Sequence, residues 1–301
     1  MTGNPKMEAM EDRIERLGPA LIQHGPLSDR VYLMKLENAA EADDVAEHVL
    51  SLARARDYGK IFVKAPVAAR AAFLERGFEE EARVPGMLCG KRDVCFLARY
   101  RKPARAKPRD AEAVRSVLDA ALARKARRNA PRIPPGYTFQ VLSQEHCQEM
   151  AVLYGQVFAS YPFPIHDPRY LCETMRSHVR YMGAFKNGGL AAVASAELDR
   201  KGRNAEMTDF ATLPEHRGQG LASVLLARLE DEAARFGVLT AYTIARAVSP
   251  GMNITFARAG YAFAGTLTRN TNIAGALECM NVWHKPLRRT DARSEGRNAA
   301  A

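Results

Sequence analysis

The most restrictive feature of this chain is a strand that runs through a glycine-rich turn into a helix. Glu206-Met207-Thr208-Asp209-Phe210-Ala211-Thr212-Leu213 is followed by Pro214-Glu215-His216-Arg217-Gly218-Gln219-Gly220-Leu221-Ala222. Without Cβ atoms at Gly218 and Gly220, successive amides can point into one concavity. The helix that opens at Leu221 adds the positive end of its dipole. Such a turn holds a phosphate or pyrophosphate without a metal ion. Arg217 supplies positive charge, and Ala222 is small enough for close approach. Neither GxxxxGK[ST] nor GxGxxG occurs at the turn, which excludes the two best-known phosphate loops. The remaining alternative is a glycine loop that only opens a helix.

The rest of the pattern is α/β. Residues 1–26 read as a flexible leading segment. Residues 27–100 read as a smaller α/β domain: a strand at Asp29–Leu36, a helix at Asp43–Arg56, a strand at Lys60–Lys64, a helix at Pro66–Arg76 and a strand at Val94–Tyr100. Residues 101–136 form a basic, helical connector, and residues 137–287 a larger domain. The larger domain carries a helix at Gln144–Phe158, a proline-broken loop at Tyr161–Ile165 and a helix at Pro168–His178. Strands follow at Arg180–Lys186, Leu190–Leu198 and Ala205–Leu213, with a hairpin turn at Asn187-Gly188-Gly189. An amphipathic helix at Leu221–Phe236 and a strand at Ala241–Ala245 come next, then a short helix at Ile254–Ala259 and a strand at Met280–His284. Residues 288–301 read as a disordered tail. Phe73-Leu74-Glu75-Arg76-Gly77-Phe78 matches Phe256-Ala257-Arg258-Ala259-Gly260-Tyr261 in order, which either marks a degenerate internal copy or is a chance likeness of two α/β units.

The net charge of +10 is concentrated. Between Arg101 and Arg132 eleven basic residues face Asp110, Glu112 and Asp119. No aromatic residue interleaves them, so a solvated connector is favoured over a nucleic-acid surface. The five cysteines are odd in number and form no CxxC pair, which disfavours structural zinc and a disulfide framework; reduced thiols are expected. No apolar run reaches membrane-spanning length, and the first residues lack a secretory pattern. A cytoplasmic protein without membrane attachment or a metal ion is expected.

The motif R/Q-x-x-G-x-G/A between strand and helix, met here by Arg217 to Ala222, is the signature of the GNAT acetyltransferase superfamily, which residues 137–287 resemble as a whole. The chain is further similar to the β-lysine N-acetyltransferases in Asn204–Pro214, Thr240–Ala247, Gly251–Ala257, Asn270–Ile273, Met280–Trp283, Ser160–Ile165 and Asp29–Leu36. The resemblance implies a mixed, mostly antiparallel central sheet flanked by helices, and acetyl-CoA as co-substrate. It implies acetylation of the ε-amine of β-lysine to N6-acetyl-β-lysine, a compatible solute for osmoadaptation, with a lysine 2,3-aminomutase as pathway neighbour. Another diamine or amino acid, such as lysine or a polyamine, is the first alternative. A non-catalytic protein that senses acetyl-CoA or contacts nucleic acid is the second. A homodimer is allowed by the pattern.

The chemistry demands a neutral amine. An ε-amine of pKa about 10.4 is neutral in roughly one molecule in 2,500 at pH 7. A carboxylate can relieve this cost, directly or through water. Glu206 and Asp209 are the candidates. Three residues apart, they face opposite sides of a regular strand, so only one reaches the substrate unless a bulge intervenes. The superfamily resemblance favours Glu206 and implies that backbone at Ala211, Thr212 and Leu213 meets the pantetheine arm, with Arg217, Gly218, Gln219, Gly220, Leu221 and Ala222 on the pyrophosphate. It also implies that Asn253 contacts pantetheine. Many relatives carry a tyrosine as general acid where this chain has Phe256, leaving Tyr242 or Tyr261 as acid, or none. For the substrate, Arg246 suits its carboxylate, Asp167 or Glu173 its second ammonium, and Tyr161, Phe163, Asn270, Asn272 and Asn281 the remaining contacts.

Overall fold

The computed structural model describes residues 12–273 and 275–287. Its backbone is one 13-stranded sheet in the order β1-β2-β3-β4-β6-β5-β12-β13-β11-β10-β9-β8-β7. The first half comprises β1 (Arg13–Leu17), β2 (Ala20–Gly25), β3 (Arg30–Leu36), helix α1 (Ala42–Ala55), β4 (Lys60–Pro66), α2 (Arg70–Leu74), β5 (Glu79–Leu88) and β6 (Arg92–Tyr100). Helix α3 (Ala111–Leu122) lies in the connector. The second half comprises β7 (Tyr137–Val141), α4 (Cys147–Val157), α5 (Pro168–Ser177), β8 (Val179–Lys186), β9 (Gly189–Asp199), β10 (Asn204–Thr212), α6 (Leu221–Arg235), β11 (Thr240–Arg246), α7 (Pro250–Arg258), β12 (Ala262–Ile273) and β13 (Ala276–Pro286). Among the described residues no helix is long and apolar enough to cross a membrane.

Four expectations change. Part of the supposedly flexible start, Arg13–Gly25, is a hairpin paired onto β3, because Ile22 and Ala20 are fully buried under α1. The connector is helical only to Leu122, where the sequence turns to arginines and prolines. Strands β5 and β12 were not legible as strands, since each interrupts its alternation with a glycine or proline and a bulge. Cys147 and Cys172 are joined as a disulfide, Cα atoms 6.0 Å apart, because α4 packs on α5. The expected tail, residues 288–301, lies outside the described residues, as do residues 1–11.

The two halves repeat one pairing scheme. β3 and β4 run parallel, β4 pairs antiparallel with β6, and β6 with β5. β10 and β11 run parallel, β11 pairs antiparallel with β13, and β13 with β12. A crossover helix, α1 or α6, links each parallel pair. The halves meet where β5 pairs with β12 at Ala82 and Gly265. Gly265 has φ 150°, and a Cβ there would run into the Glu81 carbonyl and lie 2.7 Å from the Ala82 Cα. Over this seam, Phe62, Val84 and Phe96 from the first half share a core with Tyr242, Leu267 and Val282 from the second.

Buried cations reinforce the seam. Lys60 donates to Glu81 at 2.8 Å and to the Thr268 carbonyl. Arg30 donates to the Asn270 carbonyl and to Thr271 Oγ1, and Arg105 joins Asp29 to the Arg269 carbonyl. Each carbonyl belongs to the bulged stretch of β12, whose ladder to β13 is interrupted between Leu267 and Thr271. The cations supply partners that the ladder does not. Replacing Gly265 by alanine should therefore destabilise the protein by about 1–3 kcal/mol through overpacking. Thermal unfolding would show it as a lowered Tm, and an unchanged Tm would mean that the strands part without cost.

Candidate active site

Strands β10 and β11 pair over only three positions, Asn204↔Thr240, Ala205↔Ala241 and Glu206↔Tyr242. Beyond them the strands part. Ala211 and Thr212 stay paired with Val193 and Ala192 of β9, leaving the β11-facing edge of β10 without a strand partner. The glycine turn lies at the end of β10. Gly218 and Gly220 take φ 77° and 76°, conformations that favour glycine, and a Cβ at either would meet open space. Space is thus not what requires glycine here; backbone conformation is. Gly220 caps α6 without a side-chain bond, so the first amides of the helix remain available. Arg217, exposed, bonds the Thr212 carbonyl through Nε.

A cleft of about 1170 Å³ opens beside the parted strands. Both halves of the chain wall it: Arg30, Tyr32, Phe62 and Lys64 from the first, Tyr161, Phe163, Glu206 and Arg246 from the second. A bulge between Thr208 and Ala211, with Asp209 at φ 53°, breaks the alternation of β10. Glu206 and Asp209 therefore both line the cleft, as only a bulge allows. Glu197, directly across from Glu206 on β9, joins them.

Three carboxyl groups in one buried wall repel one another. Asp209 is satisfied by hydroxyls, accepting from Ser195 Oγ at 2.6 Å and Tyr161 OH at 2.5 Å. Burial still pushes its carboxyl up, against the pull of those hydroxyls. Burial likewise pushes Glu206 up, opposed by Lys64 and by a hydrogen bond with Tyr242. Glu197 is pushed up to about 8, by burial first and then by Glu206 and Asp209. At neutral pH Glu197 therefore retains its proton. Lys64 Nζ donates to Tyr242 OH at 3.2 Å and stands over the Tyr242 ring.

The expected residues divide. Tyr161, Phe163, Glu206, Asp209, Arg246 and Asn270 meet in the cleft. Arg246 also pairs with Glu278 at 3.0 Å, and the Asn270 carbonyl is held by Arg30. Tyr242 is buried behind Lys64, and its hydroxyl is reached through that lysine. Tyr261 is core, stacked edge-on with Phe256. Phe256 itself lines the cleft.

Other expected residues are engaged away from the cleft. Asn253 commits its whole amide internally: Nδ2 donates to the Arg246 and Ser249 carbonyls, and Oδ1 accepts from Asn281 and Trp283. Its side chain is a staple between β11, α7 and β13, with no valence left for a ligand. Asn281 belongs to the same network, bonded also to Thr266. Asn272 is tied to the Leu27 carbonyl. Asp167 caps α5 and pairs with exposed Arg169, and Glu173 is exposed on α5. None of Asn281, Asn272, Asp167 and Glu173 lines the cleft. Sequence reasoning missed Glu197, Lys64 and Arg30. Only Glu197 left a signal: the hairpin turn at Asn187-Gly188-Gly189 sets β8 against β9, but the β9–β10 register that opposes Glu197 to Glu206 needs the fold.

With this geometry in view, relatives can be compared. Residues 148–261 match the Acetyltransferase (GNAT) family. The β-lysine N(6)-acetyltransferase of Methanococcus maripaludis is 32% identical over 274 residues, covering 91% of this chain and 98% of the relative. The chain belongs to the β-lysine N(6)-acetyltransferase family. It is an N-acetyltransferase with the GNAT arrangement of parted strands and basic glycine turn. The enzyme of the same description from Methanosarcina mazei is 43% identical over 163 residues, 54% of this chain and 60% of the relative. The N-acetyltransferase YodP of Bacillus subtilis is 30% identical over 272 residues, 89% of this chain and 96% of the relative. The long alignments extend well outside residues 148–261. The half that contributes Lys64 and Arg30 is therefore common ground in this family rather than an attachment to it.

The carboxyl wall makes stability depend on pH. Glu197 binds its proton far more tightly in the folded chain than in the unfolded one. Its contribution is present at low pH and is lost as pH rises toward about 8, because the folded state holds the extra proton in between. Melting temperature should accordingly fall across that window, and Glu197→Gln should flatten the fall. A variant whose profile tracks the parent's would show that the wall is not charged in this way.

Proposed function

We propose that the protein transfers the acetyl group of acetyl-CoA to the ε-amine of β-lysine. What carries this reading is the similarity, over 91% of the chain, to a β-lysine N(6)-acetyltransferase. The site has the parts the reaction needs. The turn from Arg217 to Ala222 offers open amides, a helix start and a cation to the pyrophosphate. The unpaired edge of β10 at Ala211 to Leu213 offers backbone groups to the amide-bearing pantetheine arm, which would run between the parted strands toward the cleft. The substrate is a zwitterion with two ammonium groups and one carboxylate. Glu197, Glu206 and Asp209 suit the ammonium groups, and Arg246 with Lys64 suits the carboxylate.

Glu206 is the base in this reading. The ammonium gives its proton to Glu206, directly or through one water, and the neutral nitrogen attacks the thioester carbonyl. The C–N bond forms, the C–S bond breaks, the nitrogen gives its second proton to water, and the sulfur leaves as thiolate or takes a proton from solvent. No tyrosine lies at the place of Phe256 to supply it. Lys64 keeps Glu206 able to ionise inside an apolar wall and, through Tyr242, holds it in place. N6-Acetyl-β-lysine has no net charge, which suits a solute that accumulates without binding other ions. A supply of β-lysine from an aminomutase acting on lysine completes the proposal.

Two measurements test it. Purified protein incubated with acetyl-CoA and equal β-lysine, L-lysine and spermidine should yield chiefly N6-acetyl-β-lysine by mass spectrometry; a dominant product from another amine would replace the substrate assignment. Glu206→Gln should lower kcat/KM by about 10²- to 10⁴-fold near neutrality. That deficit should shrink as pH approaches the amine's pKa of about 10.4, where free amine no longer needs a base. Lys64→Met should move the acidic limb of the parent's pH–rate profile to higher pH, because Glu206 loses the cation that opposes its burial. Full turnover by Glu206→Gln across that range would remove Glu206 from the role.

A further inference from the structure

The basic connector has no part in the cleft, yet its charge is the densest in the chain. Its first portion is structural: Arg101 bonds the Ala53 and Tyr58 carbonyls, and Arg105 is buried on Asp29. The second portion differs. Arg124, Lys125, Arg127, Arg128 and Arg132 are all exposed, and among the described residues none of the five forms an ion pair. Five like charges on nine residues, without counterions from the protein, are held in place rather than left loose. At one end the Arg127 amide donates to the Arg258 carbonyl at the end of α7, at 2.8 Å, and Ala126 lies beside Gly260. At the other end Tyr137 OH bonds His216 Nδ1 at 2.9 Å, and His216 immediately precedes Arg217.

The segment thus runs from the end of α7 to the foot of the glycine turn. Along the way it walls a second cleft, of about 620 Å³. Arg127, Arg128 and Arg258 bring positive charge to it, and Ser223 and Ala227 on the opening turns of α6 form its floor. Lys285 and Glu230 also line it and are paired with each other. Ser223 is the residue after Ala222, so cleft and turn are contiguous. A nucleotide whose pyrophosphate sits on the turn would have its ribose one step away, over α6. The remaining anionic group of CoA is the 3′-phosphate on that ribose, a monoester of charge about −1.5 to −2 at neutral pH.

We propose that residues 124–132 form a binding arm for the 3′-phosphate of CoA, with Arg127 and Arg128 as its principal contacts. Guanidinium groups pair a phosphate bidentately, and an exposed arm fixed at both ends loses little freedom on closing over it. This rests on the acetyl-CoA reading above, and it assigns a role to a segment outside the matched acetyltransferase region.

The test is isothermal titration of CoA and of 3′-dephospho-CoA into the full-length protein and its Arg127→Ala/Arg128→Ala variant. The parent should bind CoA about 10- to 100-fold more tightly than dephospho-CoA, a gap that narrows with added salt. The variant should bind both forms equally, at the parent's dephospho-CoA affinity, and Arg127→Lys/Arg128→Lys should restore part of the preference. Both positions are exposed, so unchanged thermal unfolding is the expected control. Equal binding of the two forms by the parent, or a preference kept by the alanine variant, overturns the assignment while leaving the acetyl-CoA reading intact. Binding of neither form overturns that reading and the arm with it. A variant that keeps the CoA preference but loses affinity for a short labelled DNA duplex would give the arm to nucleic acid instead.

Discussion

Two parallel strands that stop bonding to each other after three residues create a debt of backbone groups. β10 and β11 do this beyond Glu206 and Tyr242. On its other side β10 remains laddered to β9, so the open edge is rigid rather than frayed. Rigid, unpaired amides and carbonyls need partners from outside the sheet. The same departure of β11 makes room for the cleft. The glycine turn follows at the end of β10, with Arg217, Gly218, Gln219 and Gly220 exposed. The amide network of Asn253 keeps the strands apart by fixing the end of β11 to α7 and β13. The parted strands and the saturated asparagine are two sides of one construction.

The second constraint is charge. A wall containing Glu197, Glu206 and Asp209 cannot stand in an apolar setting unless protons, hydroxyls or cations answer it. The second half of the chain supplies hydroxyls to Asp209 and, from Tyr242, to Glu206. The lysine nearest Glu206 comes from β4, in the first half. That dependence explains why the two halves share a core and are clamped by Lys60, Arg30 and Arg105 onto the bulged stretch of β12. A shift of the first half would move Lys64 relative to Glu206. Packing at Gly265 and the surroundings of Glu206 are therefore linked through the same seam.

Much of this was legible in the residues. The strand, glycine turn and helix from Glu206 to Phe236 were read with their order intact, because the pattern is local: two glycines, a basic residue and an amphipathic run. The cleft-facing Tyr161 and Phe163 were legible for a similar reason, since Pro162 and Pro164 fix them in a loop. What could not be read was whatever depends on register or on partners distant in sequence. Asp209 reaches the cleft only through a bulge, and nothing in Thr208-Asp209-Phe210-Ala211 announces one. Lys64 looks like any charged end of a strand. Asn253 and Asn281 look like polar residues available to a ligand until their partners are known. Cys147 and Cys172 are 25 residues apart and are brought together by two helices packing, which spacing rules do not see.

The raised carboxyl groups bear directly on the difficulty of the reaction. An ordinary carboxylate near 4.5 is a poor base for an ammonium near 10.4, a gap of about six units. A carboxyl that burial and its neighbours hold near 8, as at Glu197, closes more than half of that gap. Glu197 and Glu206 stand opposite each other across β9 and β10, so ionising one holds the proton more tightly on the other. An arriving ammonium favours the ionised wall and displaces a proton from it. In the proposed reaction, once the amine has given up its own proton the wall faces one cation fewer and holds that proton more tightly. Binding thus draws on the low-proton state of the wall and catalysis on its high proton affinity. In that proposal Lys64 opposes the retention, because it stays charged beside Glu206 after the reacting amine has become neutral.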